Sequence, residues 1–431
     1  MDVISALIIL GVIMVLGFIG NFIFNRTQIP SIVWLLLFGL VVGAFFKFEK
    51  FALYYPELLM TVSGFFGAIA IVIILFDGGI NTDIYQLFKG APRGLLLTAS
   101  SFFLSFFATI LIVAGLDRAG IIDIQGDSFV VGAVLGAIIG GTSSPIVIPL
   151  VSKLKNLREK TKMVLSIESI LTDPLCIVVI FAIYYMVFVV GEINIGLGIG
   201  NLVKTFSVGI VLGFFLGFIW LFIMNKLRKE QFSYVLTLAV VFLVYSFTAL
   251  IVGIGEGGEG AGAIACLIFG LVLGNGKKVL KMVNYEGEGF EMDAETKQFH
   301  SLISFIIRTF FFVYLGMIVA FQNIIYILFG IVILIVLLIV RYIIVYISTF
   351  KGKFDKDDKQ TMLVMMPRGL AAAILAIKFG DEFVKSYIPG HEGFFKDVAF
   401  VVILGTAIIT TIGVAVISHY ENKKVKESET G

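Results

Sequence analysis

Two carboxylates lie five residues apart in Ser166-Ile167-Glu168-Ser169-Ile170-Leu171-Thr172-Asp173-Pro174, and an apolar run follows them through Val190. A charged side chain inside a membrane-spanning helix costs about 2.5–3.5 kcal/mol on insertion scales, so it is expected to have a partner or a job. At about 3.6 residues per turn, Ser169 and Asp173 share a face, whereas Glu168 and Asp173 point about 140° apart. The two acids therefore face different neighbours. Asp173 stands beside the hydroxyls of Ser169 and Thr172. Carboxylate, hydroxyl and carbonyl oxygens suit a hard cation stripped of water. A carboxyl in a low dielectric can also hold a proton. One group that takes either ion is the minimum that exchange requires.

Further ionisable residues fall within apolar surroundings. Asp77 closes Ile73-Ile74-Leu75-Phe76-Asp77-Gly78-Gly79, Arg308 lies in Ile306-Ile307-Arg308-Thr309-Phe310, and Arg368 lies in Met366-Pro367-Arg368-Gly369. Arg341 is late in its apolar run and is set aside as able to snorkel. Breaking a buried ion pair costs about 3–5 kcal/mol, so Arg368 is expected to be paired. Glu168, pointing away from the Asp173 face, is assigned to it. Asp173 is then the acid left to work. The structural alternative for Asp173 is an ion pair with Arg308.

These residues need elements to hold them. The chain has 431 residues, of which 59% are hydrophobic and 14% charged, with a mean hydropathy of +1.05. That composition specifies an all-α polytopic membrane protein. A net charge of +2 argues against a nucleic-acid surface. Cys176 and Cys266 lie in separate apolar runs and read as inert buried thiols. His300, His391 and His419 fall near predicted helix ends, no metal-ligand spacing occurs, and no cofactor is expected. The first apolar run, Val3–Phe24, is too long for a signal-peptide core and reads as a retained first helix.

About thirteen spans are predicted, from Val3–Phe24 to Phe394–Ser418, with the fifth at Ser128–Val151, the sixth at Thr161–Val190, the eleventh at Asn323–Thr349 and the twelfth at Gln360–Gly380. With the N-terminus outside, 22 Lys and Arg fall on the inside segments and 7 on the outside ones. This split sets the orientation, with a cytoplasmic C-terminus. Six helices, a seventh and six more then form two halves of opposite topology, an inverted repeat. The fifth helix of each half is interrupted, by Gly140-Gly141-Thr142-Ser143-Ser144-Pro145 in one and by Met366-Pro367-Arg368-Gly369 in the other. Paired interruptions of this kind point to a transport site, because unwound segments free carbonyls and expose half-helix ends. The bland reading is a pair of ordinary proline kinks. Gly253–Gly262 contains a GxGxxG string, but it follows a membrane helix and reads as an external loop, with Glu256 and Glu259 as an acidic vestibule.

Taken together, the ESIxxD-Pro string at Glu168–Pro174, the polar break ending in Ser143-Ser144-Pro145, the FDGG at Phe76–Gly79 and the PRG at Pro367–Gly369 resemble the monovalent cation/proton antiporter superfamily, in its NhaP-like sodium(potassium)/proton branch. The resemblance runs from about Ile29 to Leu404. It implies a homodimer in the plasma membrane that exchanges sodium or potassium for protons by alternating access and serves pH homeostasis. It implies a dimerisation domain at 1–92 and 233–322, a core bundle with crossed broken helices 5 and 12 at 93–200 and 323–419, a connecting helix at 201–232 and a short tail at 420–431. Asp173 matches the ion-binding acid, Glu168 and Arg368 the structural pair, and Ser169 with Thr142, Ser143 and Ser144 further coordinating positions. Asp77 matches an acidic position that can contribute, and Arg308 is placed in electrostatic support.

Two departures matter. The family usually has Thr-Asp-Pro where this chain has Ser143-Ser144-Pro145, and Asn-Asp where this chain has Thr172-Asp173. Fewer carboxylates weaken the field at the site, which shifts preference towards potassium. Two other classes compete: a carrier of small organic anions using intramembrane arginines as clamps, and a cation channel. Three intramembrane acids argue against the first, and the inverted repeat with its single working acid against the second.

Overall fold

In a computed structural model of the chain, residues 3–430 are described apart from 28, 49–54, 123, 125, 155–156, 192, 228–229, 231, 255, 283–293, 320–322 and 353. The described residues form helices and loops, with no strand among them. In chain order the helices are α1 (Val3–Thr27), α2 (Ser31–Phe48), α3 (Tyr55–Ile80), α4 (Ile84–Arg118), α5 (Ser128–Ile139) and α6 (Ser144–Lys153). There follow α7 (Glu159–Tyr184), a π-helical segment (Tyr185–Val190), α8 (Ile195–Lys226), α9 (Ser233–Val252), α10 (Gly258–Gly274) and α11 (Gly276–Met282). The last are α12 (Ala294–Ile318), α13 (Ile324–Thr349), α14 (Lys356–Val364), α15 (Leu370–Tyr387) and α16 (Phe394–Thr430).

Eight of the described helices are long and apolar enough to cross a membrane, and α5 with α6 pass the same test as a pair bent by 40° at their break. Shorter apolar helices run over Ser31–Ala44, Phe66–Ile80, Gly258–Gly274 and Leu370–Gly380.

The chain divides into two compact units. The first comprises 1–64, 90–173 and 308–431. In it α16 packs on α13, α14, α15, α5 and α2, and α15 also packs on α5. Gly132, Gly136 and Gly140 give α5 a stripe of small residues four apart. A Cβ there would press on Ile110, Phe106 and Phe102 of α4 at 2.7–3.0 Å, so α4 and α5 lie in close contact. The second unit comprises 65–89 and 174–307. There α10 packs on α8 and α9, and Phe76, Trp220, Val241, Cys266, Phe269 and Leu273 share one buried cluster.

The glycine string expected as an external loop is partly helical. Gly258–Gly262 form the first turns of α10, while Gly255 lies outside the described residues. A Cβ on Gly262 would meet the Tyr245 carbonyl of α9 at 2.6 Å, so the glycines serve close helix packing. Glu259 in the first turn suits the positive end of α10.

Both interruptions have local causes. Gly140 and Gly141 are poor helix formers. Pro145 lies in the first turn of α6, where its missing N–H costs nothing. In the second interruption Pro367 disfavours helical backbone at Met366, and residues 365–369 are not helical. Pro174 is tolerated within α7, yet it leaves the Ile170 carbonyl without its intrahelical donor.

Candidate functional site at two helix breaks

The α5–α6 break and the α14–α15 break meet. Ser143 N donates to the Pro367 carbonyl at 2.8 Å. A Cβ on Gly369 would run into the Ser143 side chain, so this approach needs glycine. Arg368 N donates to Thr406 Oγ1 of α16 at 3.0 Å.

Each first half-helix ends on a guanidinium. Arg368 Nη1 donates to the Gly140 carbonyl at 2.8 Å and to that of Gly141 at 2.7 Å, and Nη2 reaches Ser105 Oγ at 3.4 Å. Arg341 Nε donates to the Met362 carbonyl at 2.8 Å and Nη2 to that of Met365 at 2.7 Å. The last carbonyls of a helix lack intrahelical donors and carry partial negative charge. The two arginines satisfy both needs, at the ends of α5 and α14.

Glu168 is held by Arg341. Nη2 lies 3.0 Å from Oε2, and Nη1 bonds Oε1. The residues are 1% and 2% exposed. The expected Glu168–Arg368 pair is therefore corrected: Arg341 takes both oxygens of Glu168, and Arg368 is turned to the α5 carbonyls. Arg341 stands eight residues before the end of α13, about 12 Å at 1.5 Å per residue, too deep to snorkel with ease. That depth is the signal in the sequence that Arg341 needs a buried partner.

Asp173 is 6% exposed. Among the described residues, neither an ion pair nor a hydrogen bond joins its carboxylate to another side chain. Arg368 is a charged neighbour within electrostatic reach. Next to Asp173, Thr172 Oγ1 accepts from Thr142 N at 2.9 Å and lies 3.3 Å from both the Thr142 carbonyl and its Oγ1. Thr172 thus ties α7 to the α5–α6 break and fixes the backbone that carries Asp173. Ser169 is fully buried, and its Oγ donates to the Ser166 carbonyl at 3.0 Å. Thr142, Ser143 and Ser144 are all buried, Ser143 as the residue capping α6 and Ser144 as its first residue.

The first unit therefore gathers Thr142, Ser143, Thr172, Glu168, Arg341 and Arg368 around the two breaks through several separate hydrogen bonds and one ion pair, with Asp173 next in the chain to Thr172. Asp77 belongs to the second unit, where its Oδ1 accepts from Asn81 Nδ2 at 3.0 Å. Arg308 is half-buried on α12.

Comparison with known proteins matches residues 11–419 to the transmembrane sodium/hydrogen exchanger family. A Na(+)/H(+) antiporter 1 from Methanocaldococcus jannaschii is 25% identical over 415 residues, 95% of this chain and 92% of that protein. A K(+)/H(+) antiporter NhaP from Alkalimonas amylolytica is 24% identical over 63% of this chain and 44% of its own. The solved structure of the sodium proton antiporter MjNhaP1 from M. jannaschii superposes with a TM-score of 0.74 at 24% identity, covering 96% of each chain. The buried acid, the joined breaks and the match over nearly the whole length agree: the chain belongs to the sodium/hydrogen exchanger family.

Proposed function

We propose that the protein exchanges a monovalent alkali cation, sodium or potassium, for protons across the membrane by alternating access, with cation and proton competing for Asp173. The observation that carries this reading is a buried carboxylate with no bonded side-chain partner among the described residues, set beside the junction of two helix breaks. Glu168 and Arg341 neutralise each other, so they add no variable charge. Asp173 is then neutral when it holds a proton and neutral when it holds a monovalent cation, and transport is electroneutral. Ser169, Thr142, Ser143 and Ser144 supply candidate oxygen ligands near it, with the Ile170 carbonyl as a further one. Thr172 spends its hydroxyl on the Thr142 backbone and acts as a positioning residue. Arg308, in the same unit as Asp173, lends electrostatic support.

The organic-anion reading, with Arg308 and Arg368 as its clamps, loses one of them, because Arg368 donates to two carbonyls. Eight long apolar helices, the bent pair and four shorter apolar helices among the described residues are consistent with thirteen passes, which we read as two inverted repeats. We place the protein in the plasma membrane as a homodimer embedded in lipid, with its C-terminus cytoplasmic, a dimerisation domain at 1–92 and 233–322, and a core at 93–200 and 323–419. Proteoliposome exchange with lithium, sodium, potassium and an organic acid in turn tests the reading. Proton movement driven by an alkali cation and abolished in Asp173→Asn is expected. Proton movement coupled only to the organic acid would overturn it.

A further inference from the structure

A cleft of about 600 Å³ opens between α14 and α16 in the first unit. The two helices touch where Thr410 Oγ1 donates to the Val364 carbonyl at 2.8 Å. One turn further on, a Cβ on Gly413 would collide with Val364. From that apex the helices diverge. Leu363, Val364, Val416 and Ile417 line the narrow end, and Lys356, Asp357, Gln360 and Tyr420 line the wide one. Lys356, Gln360 and Val364 follow at four-residue spacing on α14, and Gly413, Val416, Ile417 and Tyr420 share one face of α16. The cleft thus passes from charged to apolar over about 12 Å of α14, eight residues at 1.5 Å each. That is the gradient from headgroup to acyl chain in one bilayer leaflet.

We propose that this cleft holds one phospholipid whose headgroup carries both a phosphate and a protonated primary amine. The rim presents opposite charges on adjacent residues, Lys356 and Asp357, so a zwitterion complements it better than a purely anionic headgroup. Lys356 makes no ion pair or hydrogen bond among the described residues. Its ammonium takes the phosphate, joined by the Tyr420 hydroxyl. Asp357 and Gln360 accept hydrogen bonds from the amine, which a quaternary choline cannot donate. The first acyl methylenes lie along Leu363, Val416 and Ile417. The lipid would brace α14, the half-helix whose last turn is capped by Arg341 and whose end enters the junction of the breaks.

The test is native mass spectrometry of the full-length protein taken from vesicles of equimolar phosphatidylethanolamine, phosphatidylcholine and phosphatidylglycerol. One bound phosphatidylethanolamine is expected, retained about tenfold over phosphatidylcholine, the worth of one charge-assisted hydrogen bond. Lys356→Gln should weaken retention about tenfold. Ile417→Trp, which fills the narrow end, should abolish it. Lys359→Gln, on the same helix outside the cleft, should leave it unchanged. Equal retention of the ethanolamine and choline lipids, preference for phosphatidylglycerol, or retention unmoved by Lys356→Gln overturns the proposal. If Ile417→Trp does not fold, Lys356→Gln decides, because that side chain is exposed and its loss leaves the packing intact.

Discussion

Arg341 Nη2 lies 3.0 Å from Glu168 Oε2, across 173 residues of chain, and the same nitrogen lies 2.7 Å from the Met365 carbonyl at the end of α14. One guanidinium therefore closes an ion pair and a helix terminus together. Glu168→Gln should lower stability by about 3–5 kcal/mol by leaving Arg341 charged and without its acid. Arg341→Met should cost more than Glu168→Gln, because the Met362 and Met365 carbonyls lose their donor as well. The double variant Glu168→Leu with Arg341→Met should recover part of the loss. Thermal unfolding in detergent measures all three, and equal melting temperatures for the two single variants would refute the shared role.

Asp173→Asn should abolish cation-driven proton movement in proteoliposomes while the protein still folds and inserts. Loss of at least about a hundredfold is expected, since asparagine holds neither a proton nor a cation's charge at neutral pH. Retained exchange in this variant removes Asp173 from the site.

Competition for one carboxylate sets the pH response. Protons displace the cation by mass action, so the apparent cation affinity should fall about tenfold per pH unit once the carboxyl is mostly protonated. It should level off at higher pH. The rate should be insensitive to an imposed membrane potential. A current on solid-supported membranes that scales with turnover would show that a second ion moves in the cycle.

Ser144 opens α6 and is buried at the break. Ser144→Asp would add a carboxylate there and raise the field strength of the site. The ratio of apparent sodium to potassium affinity should rise, by about tenfold for a difference of 1.4 kcal/mol. Exchange rates in graded sodium and potassium measure it, and an unchanged ratio would place Ser144 away from the cation.

Gly369→Ala should destabilise by about 1–3 kcal/mol, the cost of forcing a methyl group into a packed contact. Its methyl would press on Ser143. Exchange should fall with the melting temperature. Ser143→Gly in the Gly369→Ala background should restore part of both, and no restoration would mean that the two residues do not share that space.

The sequence made the breaks legible because glycine and proline act on their own backbone. It made Asp173 legible because an acid in an apolar run is costly wherever it lies. It did not make the partner of Glu168 legible. Periodicity states which residues share a face of one helix, not which face of a distant helix meets it. On α13 the buried residues Ile333, Leu337, Arg341, Val345 and Ser348 form one stripe. Nearly every other residue of that helix is also apolar, so no contrast in the sequence set the stripe apart. The Thr172–Thr142 contact was hidden for a different reason. A threonine hydroxyl suits a cation and a backbone amide equally, and only geometry decides between them.

The bond from Ser143 N to the Pro367 carbonyl runs from main chain to main chain. No side-chain substitution short of proline deletes it, so alanine scanning is blind to the join it makes. With the Arg368 bonds to the Gly140 and Gly141 carbonyls it rivets the two interruptions together, and a motion that kept this bond would carry both rather than part them. An ester linkage replacing the Ser143 amide, introduced by an α-hydroxy acid, would remove that donor and leave every side chain in place.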